Sequence, residues 1–259
     1  MPLIDSHAHL DFADYDDDLS LVLSRAREAG VNKIINIGAD LERSKKAVKI
    51  SEQFENIWST IGVHPEGCDI DIEKTKKSME QLLTSSVKIV AIGECGLDYY
   101  YDDHQKNEQS DLFEMQMSLA KKHNLPLVVH LRNGQDDRAA EDGYQLLKKN
   151  KIIKGVIHCF TLDKKWVKKF IDLGFSLGYT GIVTYKNADT VRESLINTPL
   201  ENMLVETDCP YLAPQKYRGQ RNEPAYVAEI AQKIAALKNL NYQEIAADTT
   251  ENTEKLFKI

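Results

Sequence analysis

Short apolar runs recur along the whole chain, and several of them end at a residue that can bind a metal ion. The runs read L-I-D-S-H-A-H, I-V-A-I-G-E, L-P-L-V-V-H, G-V-I-H and M-L-V-E-T-D. The residues that close them are His7 and His9, Glu94, His130, His158 and Asp208. A polar side chain at the end of a buried strand costs free energy unless another group pairs with it. The pattern therefore favours a fold in which several strands direct their carboxyl ends at one point.

Amphipathic stretches of helical length lie between the runs, so strand and helix patterns alternate from end to end. Strands are predicted near 2–8, 31–37, 57–63, 89–94, 126–130, 155–159, 174–178 and 202–207. Helices are predicted near 17–29, 41–55, 73–85, 105–124, 137–149, 163–173, 188–196, 223–238 and 242–257. Gly30 and Asn124 follow two of the helical patterns, where helices commonly end. This alternation predicts parallel strands joined by right-handed crossovers.

Two architectures satisfy the alternation: an open doubly wound sheet and a closed eight-stranded α/β barrel. No Gly-x-Gly-x-x-Gly turn follows the first strand, so the dinucleotide-binding form of the open sheet is unsupported. In a barrel the carboxyl ends of all strands meet around one mouth, where such enzymes keep their active sites. We therefore predict a TIM-type (β/α)8 barrel. Because no linker or repeat divides the chain, residues 1–259 are predicted to form a single domain.

The composition, 42% hydrophobic and 28% charged residues, is ordinary for a soluble enzyme. No apolar stretch approaches the roughly 20 residues that span a bilayer, and the start M-P-L-I-D-S-H lacks a signal-peptide pattern. We therefore expect a cytoplasmic protein without membrane association. The formal net charge is -7, without a dense basic run, which argues against sequence-blind binding of long duplexes. A small phosphate-bearing substrate held mainly by bound cations is compatible with this charge.

The four cysteines form neither a disulfide framework nor a C-x-x-C pair. Cys95, Cys159 and Cys209 each follow a candidate ligand directly. Because neighbouring strand residues point to opposite faces, these thiols are predicted to face the helices as small apolar filler. Thiolate ligation of a metal is the alternative.

Asp5, His7 and His9 alternate along the first predicted strand and therefore share one face. Two histidines at this spacing can hold one cation, with Asp5 orienting an imidazole. A lone His-x-His pair is also common at a solvated strand end, so its companions on later strands matter. Asp208 is predicted to complete this metal position and to accept a proton from a water. Glu206 is predicted to orient a ligand histidine, with an ordinary charged strand end as the alternative.

Glu94 lies in I-G-E-C-G-L-D and is the candidate ligand on the fourth strand. A carboxylate has two oxygens and can bridge two cations, so Glu94 is the predicted bridging ligand. An ion pair with Arg132 is the alternative. His130 and His158 end the next two strands, and neutral imidazole is the commonest transition-metal ligand. With Glu94 they predict a second metal position, although either histidine alone could be a satisfied core residue.

Other side chains are predicted near the barrel mouth, where a substrate would bind. His64, in G-V-H-P, can contact a phosphate oxygen or cap a helix. Tyr99 and the two tyrosines after it could stack on nucleobases if exposed, or simply pack. His104 and His123 fall within helical patterns and are assigned no role. Basic residues that could neutralise phosphates, or merely be solvated, are Arg132, Lys216, Arg218 and Arg221.

Several motifs occur in a fixed order: D-S-H-A-H, G-V-H-P, G-E-C-G-L-D-Y, L-P-L-V-V-H-L-R, H-C-F, and E-T-D-C-P-Y-L with R-N-E-P downstream. This set resembles the TatD-type metal-dependent deoxyribonucleases of the amidohydrolase superfamily, and it covers nearly the whole chain. The resemblance implies a TIM barrel with a two-metal centre. By motif, one ion would be held by His7, His9, Glu94 and Asp208. The other ion would be held by Glu94, His130 and His158.

The sequence departs from the family pattern at two places. The family usually has Arg and then Asp after the fifth-strand histidine, whereas here Arg132 is followed by Asn133. The family commonly has a glycine two residues after the Phe of H-C-F, whereas here Leu162 stands at that position. Both changes lie near the predicted mouth, so they bear on substrate preference rather than on the metal centre.

The resemblance implies a nuclease that removes nucleotides from the 3′ end of DNA, with single-stranded DNA or a 3′ end as the expected partner. RNA is an alternative substrate, and no protein partner is predicted. Two divalent cations, with Mg, Mn and Zn as candidates, would be bridged by Glu94 and a water. The hydroxide formed from that water would attack phosphorus, and Asp208 would accept or relay the proton.

Two other functions remain open at this point. The first keeps the metals and changes the bond: a D-aminoacyl-tRNA deacylase, acting on tRNA, or another amidohydrolase-type ester or amide hydrolase. The second is a barrel whose cations only hold strands together. Structural metal sites tend to be coordinatively closed, whereas the few ligands predicted here, shared between two ions, leave open positions.

Overall fold

The computed structural model describes residues 2–101, 105–152 and 154–259, so His104 lies outside the described residues. The strands are β1 (Leu3–Ala8), β2 (Val31–Asn36), β3 (Ile57–Ile61), β4 (Ile89–Asp98), β5 (Leu127–Arg132), β6 (Gly155–Ile157), β7 (Phe175–Tyr179) and β8 (Met203–Val205). The α-helices are α1 (Leu19–Glu28), α2 (Leu41–Gln53), α3 (Ile72–Leu83), α4 (Lys106–His123), α5 (Arg138–Lys149), α6 (Lys165–Asp172), α7 (Asp189–Asn197), α8 (Val227–Lys238) and α9 (Tyr242–Phe257).

The strands form one parallel sheet in which each strand pairs with its neighbour in the chain, from β1 to β8. The first and last strands are joined just beyond their ends. The His9 N–H donates to the Cys209 carbonyl at 2.9 Å, and the Asp208 N–H donates to the His7 carbonyl at 2.9 Å. Ala8 and Cys209 also form a parallel bridge. The sheet therefore closes on itself, and the predicted (β/α)8 barrel is confirmed.

Apolar side chains from non-adjacent strands meet inside the barrel. Ile35 of β2, Val128 of β5 and Leu204 of β8 belong to one buried cluster, and strands that are not neighbours in the sheet can only meet across the lumen. The apolar residues next to them along each strand belong to a second cluster, between the sheet and the helices. Because alternate strand residues share a face, the polar residues two positions further on lie above the lumen cluster, at the mouth.

Special backbone positions end two of the predicted helices. Gly30 follows α1 with a φ of 86°, and Asn124 follows α4 in the left-handed conformation with a φ of 53°. Glycine adopts this conformation without a steric penalty, and asparagine tolerates it better than most residues. Both helix ends were predicted from these residues and are confirmed.

The strands that carry ligands differ in length from the prediction. β6 ends at Ile157 and β8 at Val205, each two residues earlier than predicted. The chain turns there, since φ is 45° at Cys159 and 56° at Asp208. β4 instead continues to Asp98, four residues beyond the predicted end.

The helix predicted at 223–238 begins only at Val227. Pro224 opens a separate 3-10 turn before it, because the fixed φ of proline suits the start of a turn. Among the helices of the described chain, none is both long enough and apolar enough to cross a membrane.

Candidate metal centre

The side chains predicted as metal ligands gather at the barrel mouth. The end of β1, the middle of β4 and the turns after β6 and β8 bring most of them there, and β5 supplies the remaining one. Within the described residues, they form overlapping groups whose nitrogen and oxygen atoms lie within 4.8 Å of one another. The members of these groups are His7, His9, Glu94, His130, His158 and Asp208, together with His64.

The first group joins the two ends of the sheet. The Nε2 atoms of His7 and His9 lie 3.2 Å apart. Oδ1 of Asp208 lies 3.4 Å from His7 Nε2 and 3.5 Å from His9 Nε2. Three potential ligand atoms therefore surround one point, as the sequence predicts for the first metal position.

Glu94 lies between this group and a second one. Its Oε2 is 3.5 Å from His7 Nε2 and 3.6 Å from His9 Nε2. Its Oε1 is 2.7 Å from His158 Nε2 and 3.0 Å from His130 Nδ1. One carboxylate oxygen thus faces each group, which is the arrangement that a bridging ligand requires.

His64 extends the second group. Its Nε2 lies 3.7 Å from Glu94 Oε1, and its ring centre lies 4.4 Å from that of His130. Burial and then the charge of His130 lower the pKa of His64 to about 3, so the ring is neutral. Nδ1 accepts the Glu66 N–H at 3.3 Å and caps a 3-10 turn. The structure thus shows the predicted capping role, and the contact with a phosphate stays a prediction.

Polar contacts orient the ring planes of two ligand histidines. His130 Nε2 lies 3.0 Å from Asp98 Oδ2, which leaves Nδ1 facing Glu94. His9 Nδ1 lies 3.1 Å from the Ile37 carbonyl oxygen, which leaves Nε2 facing the centre. Partners of this kind fix the tautomer and increase the basicity of a ligand imidazole.

Asp98 is the functional candidate that the sequence predictions omit. It is 4% exposed, and Arg132 Nη1 lies 3.8 Å from the carboxylate oxygen that also contacts His130. The signal was present in the G-E-C-G-L-D motif, because residues 94 and 98 share a strand face if the strand continues. The predicted strand end at residue 94 concealed it.

Glu206 is placed as predicted, beside a ligand histidine. Its Oε1 lies 3.7 Å from His158 Nδ1 and accepts the Cys159 N–H at 2.5 Å. Its other carboxylate oxygen accepts from the Ser6 hydroxyl at 3.3 Å. The carboxylate is fully buried, so the solvated strand end considered as an alternative does not describe it.

Asp5 does not contact an imidazole, contrary to prediction. Its carboxylate accepts the backbone N–H and the hydroxyl of Thr207, at 2.9 and 2.6 Å, and the backbone N–H of His7 at 3.3 Å. The pairing of β1 with β2 shifts register between Asp5 and Ala8, so the strict alternation behind the prediction fails there. Asp5 instead ties the loop after β8 to β1.

The cysteine prediction holds for two of three residues. Cys95 and Cys209 are fully buried within the apolar cluster between the sheet and the helices. Cys159 instead lines the cleft at the barrel mouth, so the prediction is wrong there. The physical reason is that β6 has already ended at Ile157, and the alternation of faces ends with it.

The cleft above the ligands has a volume of about 790 Å³. Its walls include two arginines and three aromatic side chains besides the ligands. These are Phe12, Arg43, Tyr101, Arg132 and Tyr211.

Tyr99 is not available for stacking on a nucleobase, and the packing role that the sequence left as the alternative describes it. It is 5% exposed, its hydroxyl donates to Asp142 at 3.2 Å, and it lies against α5 rather than in the cleft. Tyr100 and Tyr101 are about half exposed. The extension of β4 as far as Asp98 explains the difference, because Tyr99 still follows the strand direction.

Of the predicted phosphate-binding residues, Arg132 lines the cleft. Its guanidinium lies 3.7 Å from the centre of the Tyr100 ring, and its carboxylate neighbour is Asp98 rather than Glu94. Arg218 stacks on Tyr185 at 4.1 Å, outside the residues that line the cleft.

Two further cations are engaged elsewhere. Lys216 pairs with Glu229 at 2.8 Å, and Arg221 pairs with Asp18 at 2.7 Å. Their predicted contact with phosphates is therefore not supported by their positions, because both charges already have acidic partners away from the cleft.

The pKa values of Glu94 and His158 depend strongly on each other. Burial alone raises the pKa of Glu94, but the charge of His158 and the hydrogen bonds with His130 and His158 bring that pKa well below its usual value. Burial alone lowers the pKa of His158, but Glu94 raises it well above its usual value. Glu94 therefore favours the ionised form and His158 the protonated form, and binding of a cation at these atoms would release the imidazole proton.

The donor set fits bound divalent cations. Ring nitrogens approach in pairs at 3.2 Å, His7 with His9 and His130 with His158. Two imidazole lone pairs at this distance repel each other unless a proton or a cation lies between them. Imidazole combined with carboxylate suits Zn, Mn, Fe or Ni, and carboxylate oxygens suit Mg.

The chain is similar to known proteins in both sequence and structure. A family model described as TatD related DNase matches residues 4–258. The uncharacterized metal-dependent hydrolase YabD of Bacillus subtilis is 39% identical, over 99% of both chains. The uncharacterized metal-dependent hydrolase YcfH of Escherichia coli is 36% identical, over 100% of this chain and 97% of the relative.

The fold comparison agrees. The crystal structure of YjjV, a TatD homolog from Escherichia coli, superposes with a TM-score of 0.93 at 31% identity, and covers 99% of this chain and 98% of the other. The match extends through every strand that carries a candidate ligand. The chain therefore belongs to the TatD family of metal-dependent hydrolases.

Proposed function

We propose that the protein hydrolyses phosphodiester bonds at the 3′ end of DNA with the help of two divalent cations. The observation that carries this proposal is the position of Glu94, which presents one oxygen to each group of ligand histidines. Two-cation centres suit in-line displacement at phosphorus, because one ion can serve the attacking oxygen and the other the leaving oxygen. The DNase description of the matched family supports the choice of substrate.

The residues divide the work of the centre between binding and proton transfer. His7, His9 and Asp208 would hold one cation, His130 and His158 the other, with Glu94 shared. When bound, such cations supply Lewis acidity at a phosphoryl oxygen and acidify a nearby water. Every other contribution comes from the protein side chains.

Asp208 is the proposed proton acceptor. Burial alone raises the pKa of Asp208, but the hydrogen bond with His9 and the charge of His7 lower it below its usual value. Its side chain is 15% exposed, against 5% for Glu94, so the ionised carboxylate also faces the cleft. It is therefore positioned to take the proton from an attacking water.

The cleft suits a strand end or a single strand better than a long duplex. Its two arginines lie near different ligands, Arg43 at the Phe12 ring beside His9 and Arg132 at Asp98 beside His130, and the chain has a net charge of -7. Duplex binding without sequence preference depends on many phosphate contacts. RNA is a second possible polymer, since neither arginine distinguishes a ribose from a deoxyribose.

The decisive experiment combines metal content with a polarity assay. The purified protein is analysed by mass spectrometry, stripped with chelator, and reloaded with Mg, Mn or Zn. We expect activity only after reloading. Mononucleotides would be released, and the 5′-labelled single-stranded DNA would become a ladder of products shortened from the 3′ end. D-aminoacyl-tRNA is assayed in parallel. Hydrolysis of that ester without cleavage of DNA or RNA under any metal would overturn the proposal.

A further inference from the structure

Two aromatic residues stand directly beside the ligand group. Phe12 follows His9 by three residues, and Tyr211 follows Asp208 by three. In each case the backbone turns back on itself. The Phe12 N–H donates to the His9 carbonyl at 3.4 Å, and the Tyr211 N–H donates to the Asp208 carbonyl at 3.0 Å. Both rings are therefore fixed at a short distance from the centre by the same turns that position the ligands.

The two rings form one aromatic corner. Their centres lie 5.4 Å apart with planes at 90°, and Phe12 also meets the His9 ring edge to face, at 5.5 Å. Tyr211 is 55% exposed although it lines the cleft. A large ring held at a fixed angle and open to solvent offers a face on which a flat ligand can stack.

Arg43 covers the other side of this corner. Its guanidinium carbon lies 3.5 Å from the centre of the Phe12 ring, and its Nε donates to Asp11 at 2.7 Å. One terminal nitrogen, Nη2, is buried and has no hydrogen-bond partner among the described residues. A buried donor left unpaired costs free energy. The Arg43 side chain is 28% exposed and lines the cleft, so a small shift of the guanidinium would let an anionic oxygen of a ligand pair with this nitrogen and relieve the cost.

We propose that Phe12, Tyr211 and Arg43 form a nucleotide subsite next to the scissile bond. An unpaired base stacks on Tyr211 against Phe12, and Arg43 donates to a phosphate oxygen of the same or the adjoining nucleotide. Inside a duplex both faces of a base are already stacked on its neighbours, so the subsite favours a strand whose nucleotides next to the scissile bond are unpaired. This inference rests on the proposed function for its substrate and goes beyond it in naming the subsite.

The other side of the cleft does not offer the same arrangement. Arg132 stacks on Tyr100 at 3.7 Å, but it also lies 3.8 Å from Asp98, the residue that orients His130. The Arg132 charge is thus partly committed to the metal centre. Arg43 has a carboxylate partner outside the ligand group, Asp11, and retains an unpaired donor.

The test removes the Tyr211 ring from the protein and the base from the 3′ nucleotide of the DNA, first separately and then together. Single-stranded oligonucleotides ending in a normal or an abasic 3′ nucleotide are bound to chelated protein, and affinity is measured by fluorescence anisotropy. We expect the wild type to prefer the normal end by about 10-fold, as stacking of one base provides. Tyr211→Leu should lose this preference, binding both ends as weakly as the wild type binds the abasic one. Tyr211→Phe, which keeps the ring, should retain it.

A second arm tests Arg43. A neutral methylphosphonate replaces one linkage at a time near the 3′ end, and Arg43→Lys keeps a charge opposite Asp11. We expect one position at which the wild type loses about 10-fold in affinity and Arg43→Lys loses much less. Thermal melting of each variant checks that the fold is retained.

The outcomes separate this inference from the proposed function. If Tyr211→Leu weakens both ends by the same factor, or leaves the preference intact, the subsite is refuted. If the coupling is present but no reloaded form cleaves a nucleic acid, the subsite stands and the nuclease proposal fails. Binding of duplex and frayed ends with equal affinity would also overturn the selection for an unpaired nucleotide.

Discussion

The ligand group and the rim of the cleft above it are built in different ways. In the ligand group, contacts within the barrel orient the rings, as Asp98 does for His130 and the Ile37 carbonyl does for His9. At the rim, Tyr211 and Arg132 come from loops or strand ends and are held mainly by stacking. The barrel thus determines the chemistry, while the loops determine what can approach it. Substrate preference can therefore change without disturbing the centre.

The largest effect should come from removing Asp208, the proposed proton acceptor within the ligand group. We expect Asp208→Ala to lower kcat by about 10³-fold or more relative to the wild-type protein, because both a metal ligand and a general base are lost. Circular dichroism should show a folded chain, since the side chain contributes to no apolar cluster. Turnover within 10-fold of the wild type would remove Asp208 from the mechanism.

An intermediate effect should follow from loosening one ligand ring. Asp98→Asn keeps the shape of the side chain but loses the charge opposite His130 Nε2, so we expect metal affinity to fall by about 10- to 100-fold. Asp142→Asn is the matched control, because Asp142 contacts the Tyr99 hydroxyl, away from the ligands. Metal titration followed by calorimetry measures both. Equal affinities in the two variants would show that Asp98 does not orient the ligand.

The smallest effect should come from the rim. We expect Arg132→Ala to raise KM several-fold at low salt, with a smaller change in kcat, because one charge-assisted contact with phosphate is lost. Arg218→Ala should change KM by less than about twofold, since its guanidinium stacks on Tyr185 outside the cleft. Steady-state kinetics at two salt concentrations compares them. A fall in kcat without a change in KM would place Arg132 in the centre instead.

The same contrast explains what could be predicted from the sequence. Apolar runs and helical periodicity predict the barrel, and residues such as His130 and Glu94 are recognisable because polar groups seldom follow a buried strand. The rim is harder, because face alternation holds only while the strand lasts. Cys159 lies past the end of β6 and enters the cleft, whereas Tyr99 follows a strand that continues longer than predicted and turns away. Small errors in strand ends thus become large errors in orientation.

The hydrogen bonds between the His7 and Asp208 segments have a consequence for biosynthesis. His7 emerges early and Asp208 late, and the group they share is complete only after the final strand has docked against the first. A ribosome-bound chain that stops before residue 208 cannot assemble that group, however much of the sheet has formed. Tight metal binding is therefore expected only from the complete chain. A cation held by His7 and Asp208 would link the first strand to the last and would stabilise the barrel against opening between them.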